Sequence, residues 1–140
     1  MEISVVQHTI HWQAAHAATY AAVQKAEELG IAINVAVVDS GGNLAAFLRM
    51  PDAFLHSIDI AKDKAYTSAG FGFPTSQWEE IFSTEKMLKL GIPVRERLVI
   101  FGGGLPIEID GEKLGGIGVS GGSEAQDIKC AQAGLDTISK

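Results

Sequence analysis

The sequence predicts an α+β domain, an α/β sandwich in which a five-stranded antiparallel sheet is flanked by helices, and three observations carry that prediction. Hydrophobic spacing alternates between the helical period and short β-branched or apolar runs. Each change of period falls beside a Gly, Pro, Asn or Asp turn signal. Neighbouring strand segments are joined by short turns, which suit antiparallel pairing, whereas a parallel pair needs a long crossover.

The elements follow in order. Trp12, Ala15, Thr19, Ala22, Ala26 and Leu29 recur at helical spacing and stop at Gly30, a residue suited to the left-handed position that closes a helix. Ile31 to Val38 is a β-branched run, Asp39-Ser-Gly-Gly-Asn43 is turn chemistry, and Leu44 to Met50 is apolar again, which predicts a hairpin. From Asp52 onward Phe54, Ile58, Ala61, Ala65 and Ala69 form a second helical face, ended by Gly70-Phe-Gly-Phe-Pro74. Short helices are expected from Pro74 and over Ser83 to Leu90. Leu98 to Phe101 and Pro106 to Ile109 read as strands, and Asp110-Gly111 turns the second into Lys113 to Val119. Ser123 with Gln126 makes a capping box, and Ile128, Ala131, Leu135 and Ile138 give the last helix its apolar stripe. Phe71, Phe73 and Trp78 read as core and not as a ligand platform.

Composition narrows the function classes. With 140 residues, 46% hydrophobic and 20% charged, the chain is expected to form a single domain, 1–140, burying roughly two-thirds of its unfolded surface. A net charge of -6 argues against a nucleic-acid partner, because phosphate binding needs clustered Lys and Arg. No apolar run approaches the roughly 20 residues that cross a bilayer, and the N-terminus lacks a basic region followed by an apolar core. One cysteine, Cys130, fits a reducing compartment, so a cytoplasmic location without a membrane partner is expected.

Nine of the 16 glycines lie between Gly102 and Gly122, and two familiar patterns among them fail. Gly116, Gly118 and Gly121 fit a dinucleotide fingerprint, but no parallel strand bearing an acid about 20 residues later follows them. Gly118-Val-Ser120-Gly-Gly122 fits a nucleophile elbow, but all four histidines precede Ser120. What remains is a turn that would leave backbone N–H groups free at the N-terminus of the last helix. Gly102, Gly103, Gly104, Gly121, Gly122 and Ser123 are therefore candidates to bind the acidic end of a ligand. The competing reading is that the glycines serve tight turns and close helix–sheet contact. Asp127 reads as a complement to the helix dipole.

Helix two holds the densest polar chemistry. His56, Asp59 and Asp63 can share a face as a metal set of one imidazole and two carboxylates, although charges on such a helix are ordinarily solvated. Lys64, if buried, could bind a carboxylate or work as an acid–base group, and its plainer role is to pair with Asp59 or Asp63. Arg49, at the end of the second strand, could face a bound acid. His8, His11 and His16 share no tidy ligand spacing and read mostly as surface residues.

Val37-Val-Asp-Ser-Gly-Gly-Asn-Leu44, Ile60-Ala-Lys-Asp-Lys-Ala-Tyr-Thr67, Phe101-Gly-Gly-Gly-Leu-Pro106 and Gly116-Ile-Gly-Val-Ser-Gly-Gly122 with Asp127 resemble, in order, the motifs of the GlcG/HbpS family, the haem-degrading domain family. The chain also resembles the C-terminal domain of PduO-type proteins. The resemblance implies a profilin-like sandwich, homo-oligomers from dimer to octamer, haem or iron binding, and genes accompanying catabolic pathways. Some relatives ligate haem through a histidine near the N-terminal helix. With no Cys-x-x-Cys-His present, any haem would be held non-covalently. Two functions follow as expectations: a small-ligand-binding protein for haem or iron, or a deaminase- or hydrolase-type enzyme acting on an organic acid. In the second, Lys64 or His56 would do acid–base work and backbone N–H groups would steady an oxyanion.

Overall fold

The computed structural model describes residues 1–139. Its elements are α1 (Trp12–Leu29), β1 (Asn34–Asp39), β2 (Leu44–Arg49), α2 (His56–Phe71), a 3-10 turn (Thr75–Gln77), α3 (Trp78–Thr84), α4 (Lys86–Gly91), β3 (Gly104–Ile109), β4 (Glu112–Ser120) and α5 (Glu124–Ile138). The four strands form one antiparallel sheet in the order β2-β1-β4-β3. Among the described residues no helix is long and apolar enough to cross a membrane.

Local chemistry sets the boundaries. His11 caps α1, its Nδ1 accepting from the Gln13 amide at 3.1 Å, and Gly30 closes the helix at φ 70°. Ser123 and Gln126 form the reciprocal capping box that starts α5. Asp110 and Gly111, at φ 52° and 79°, make the β3–β4 turn, with both central residues in the left-handed region as a two-residue hairpin requires. Helix α2 begins at His56, four residues later than Asp52, because Pro51 and an Asp52 at φ 71° hold the chain out of helical geometry. Phe54 consequently leaves the apolar face and is 68% exposed.

The sheet has four strands and not five. Leu98 to Phe101 adopts no ladder because α2 takes its polar groups: Thr67 Oγ1 donates to the Arg97 carbonyl at 3.0 Å and accepts from the Val99 amide at 3.1 Å. An apolar run becomes a strand only if a neighbour supplies the partner groups, and a helix side chain supplies them here.

The two faces of the sheet are covered differently. Val35, Val37, Ile107, Ile117 and Val119 meet Ala15, Ala18, Ala22, Ala26 of α1 and Cys130, Ala131 of α5. Each large aliphatic side chain so buried contributes about 1.5–3 kcal/mol. The opposite face, with Ala36 and Val38, meets α2 at Ala65. There a Cβ on Gly118 would lie 2.1 Å from the Ala61 carbonyl oxygen, and one on Gly104 2.5 Å from that of Lys64. Helix α2 thus rests on bare backbone, and these glycines are required by that approach.

Candidate functional site

Because α2 lies so low on the sheet, Lys64 cannot reach solvent. It is 1% exposed and runs along β4 to donate from Nζ to the Val119 carbonyl at 2.8 Å and to Asp127 Oδ2 at 3.2 Å. The Phe101 ring lies 5.1 Å from the ammonium and closes its outer side. Asp127 is 3% exposed and takes the Gly122 amide on Oδ1 at 2.9 Å. Burial lowers the Lys64 pKa, against the attraction of Asp127 and Glu124. Burial likewise raises that of Asp127, against Lys64 and the Gly122 amide. The partner of Lys64 is therefore Asp127, from the first turn of α5, in place of Asp59 or Asp63. Asp63 instead accepts from Arg97 Nε at 3.1 Å.

The glycine turns do not form the expected cradle of free amides. Gly102 donates to Glu124 Oε1 at 2.8 Å, Gly104 to Thr75 Oγ1 at 2.9 Å, and Ser123 to Gln126 Oε1 at 2.9 Å. Gly122 gives its amide to Asp127, as above. Gly103, at φ 124°, faces Lys64, and Gly121, at φ 149°, crosses the Ala32 carbonyl. The chain's own acceptors take the amides of Gly102, Gly104, Gly122 and Ser123, so for these four the expectation of unpaired amides is corrected. Sequence gave no sign of this, since the acceptors come from residues whose proximity depends on the fold.

The other candidates separate. His56 is exposed at the start of α2. Among the described residues no three His, Cys, Asp or Glu side chains gather to hold a metal, so His56, Asp59 and Asp63 do not form a site together. Arg49 donates from Nη2 to the Ala53 carbonyl at 2.8 Å and ties down the loop into α2. Trp78 is buried, with the rings of Phe71 and Phe73 edge-on at 4.9 Å.

His16 is exposed, as the reading of it as a surface residue expects, and it stands at a groove. With Trp12 and Thr19 it occupies one stripe of α1, at i, i+4 and i+7, opposite Ala45, Ala46, Phe47 and Leu48 of β2. Together they line a groove of about 340 Å³, apolar but for the imidazole and a hydroxyl. The Thr19 hydroxyl is turned to the His16 carbonyl at 2.8 Å. Among the described residues no hydrogen bond engages the His16 ring. An imidazole beside an indole and the apolar Ala45–Leu48 stretch of β2 can ligate a metal carried by a flat apolar ligand. A wider hollow of about 520 Å³ beside α3 is lined by Glu79 and Glu80 and suits no acidic guest.

Residues 10–136 match the family described as haem degrading protein HbpS-like. An uncharacterized 15.0 kDa protein of the dhaT-dhaS intergenic region of Citrobacter freundii is 38% identical over 94% of each chain. The crystal structure of the Klebsiella pneumoniae protein ORFY superposes with a TM-score of 0.91 at 35% identity, covering 99% of this chain and 97% of that one. A crystal structure of a PduOC–haem complex superposes at 0.85 with 33% identity, covering 93% and 95%. A whole-chain likeness of this kind, in sequence and backbone together, makes the chain a member of the HbpS-like family, the GlcG/HbpS group.

Proposed function

We propose that this protein binds haem in the groove between α1 and β2, with His16 as the iron ligand. The observation that carries the reading is the position of His16: a histidine ring that no hydrogen bond engages among the described residues, set in a groove that is apolar but for it and the Thr19 hydroxyl. The haem complex of the PduOC relative supports it from outside. The residues fit the group. Trp12, Ala46 and Leu48 offer apolar contact to a macrocycle on the α1 side of β2. Bound there, haem would supply an iron centre for small-ligand or oxidative chemistry. The protein's part is to orient the ring and shield one face. A supporting role beside a catabolic pathway, implied by the family resemblance, belongs to the same reading.

Titration of the purified protein with hemin tests it. The expected result is a shifted Soret band saturating at one haem per chain, with affinity reduced by at least about 10-fold in His16→Ala, since even the loss of an outer-shell partner at a metal site costs about that much. An unshifted spectrum, or a His16→Ala protein that binds as wild type does, rejects the assignment.

A further inference from the structure

Lys64 is an amine that the haem groove leaves unused, and its surroundings give it a way out. Two of its three ammonium N–H bonds go to the chain, one to the Val119 carbonyl at 2.8 Å and one to Asp127 Oδ2 at 3.2 Å. Among the described residues the third has no acceptor, and the Phe101 ring stands 5.1 Å from the nitrogen. Room around Nζ exists because residue 103 is glycine: a Cβ there would lie 2.6 Å from it. The ring is a cover that can turn. Phe101 is 44% exposed, while the amides to either side are fastened, Val99 by Thr67 Oγ1 and Gly102 by Glu124 Oε1, so the side chain can rotate with the loop in place. Beyond it lies a hollow of about 440 Å³ lined by Phe82, Ile100 and Phe101. Rotation of one ring therefore joins a sealed amine to a space that holds a small molecule. Burial also favours the uncharged amine, the form that attacks carbon.

We infer that Lys64 captures a small, uncharged aldehyde from this hollow as a reversible imine, a second activity that does not depend on haem. Charge selects the class of carbonyl. Glu79 and Glu124 outnumber Lys89 around the hollow, which disfavours an oxo acid, and the aromatic and aliphatic lining suits a short alkyl chain. The chemistry balances without a further reactant. Lys64 passes one proton to Asp127 Oδ2, and the freed lone pair adds to the carbonyl carbon. A second nitrogen proton moves to the carbonyl oxygen, which gives a carbinolamine. Asp127 then gives its proton to that oxygen, the carbon–oxygen bond breaks and water leaves. The product is an iminium whose last N–H stays on the Val119 carbonyl. Its charge stands beside the Asp127 carboxylate where the ammonium's stood, so no new charge is buried.

Reductive trapping on the haem-free, full-length protein supplies the test. The wild type is incubated with butyraldehyde and cyanoborohydride near neutral pH, digested, and its adducts are mapped by mass spectrometry. A buried lysine with a structural role alone would be among the slowest to react. The expected result is the reverse: Lys64 carries about 10-fold or more adduct than any surface lysine, and the preference disappears when the protein is unfolded in urea. Phe101→Ala is expected to speed trapping at Lys64 by about 10-fold, since the cation–π contact that holds the ring closed is gone. Glyoxylate, an aldehyde that carries a carboxylate, is expected to give about a tenth of the Lys64 adduct or less. Labelling in the folded wild type that follows surface exposure, an unchanged rate in Phe101→Ala, or glyoxylate trapped as well as butyraldehyde would each overturn the inference. Hemin binding is read separately and is untouched by any of these outcomes.

Discussion

Lys64 and Asp127 show what one buried pair does at the scale of single residues. Each ion has lost its water, and each is held by the other and by backbone: Val119 for the ammonium, Gly122 for the carboxylate. Lys64→Ala is expected to destabilise by about 3–5 kcal/mol in denaturant unfolding, because it strands a carboxylate without its counter-ion. Lys64→Met with Asp127→Leu is expected to cost clearly less than the two single changes added together; additivity would show the pair to be uncoupled. Cys130 gives a second residue-level expectation. Burial pushes its thiol up to about 11 from the usual 9.0. The folded state therefore favours the protonated thiol, and this contribution is full below pH 9 and lost as pH rises toward 11. Relative to Cys130→Ala, wild type should lose on the order of 2–3 kcal/mol across that window, and its thiol should resist alkylation at pH 8 until the protein is unfolded. A flat difference between the two proteins, or rapid labelling of the native state, would contradict this.

At the scale of elements, glycine decides how close α2 comes to the sheet. A Cβ on Gly118 would meet the Ala61 carbonyl at 2.1 Å and the Ala65 amide at 2.5 Å, both backbone atoms that cannot step aside. Gly118→Ala is expected to cost at least about 1–3 kcal/mol, the range for overfilling a well-packed core. Gly70→Ala, on α2 with nothing within 4 Å, is expected to stabilise by about 0.5–1 kcal/mol. Thermal melts of the two variants should move in opposite directions; equal shifts would contradict the close-approach account. The same element shows where sequence suffices. Helices α1 and α5 were legible because caps and periodicity are local: His11 and Gly30 bound one, Ser123 and Gln126 open the other. Leu98 to Phe101 was misread because being a strand depends on a partner, and Thr67 of α2 had taken its backbone groups. The glycine-rich turns were misjudged for a related reason: their amides are free only until distant Glu124, Thr75 and Asp127 are brought to them.

For the whole molecule, the sheet separates two kinds of chemistry. On the α2 side and at the top of β4, Lys64 and Asp127 are paired internally and Lys64 is enclosed under Phe101, while Asn34 Oδ1 and Trp78 Nε1 are buried without a partner among the described residues. On the α1–β2 side, Trp12 is 64% exposed, and among the described residues no hydrogen bond engages the His16 ring. His16 could not be chosen from sequence because its merit is its surroundings: β2, some thirty residues away, supplies the far wall of its groove. Haem entry into this groove with ligation by His16 is the proposal on which the functional reading rests. A crystal structure of the hemin-loaded protein tests it most directly. It should show the macrocycle between α1 and β2 with the His16 ring on the iron, whereas a macrocycle seated over Phe101 and Glu124, or ligated by another side chain, would contradict it.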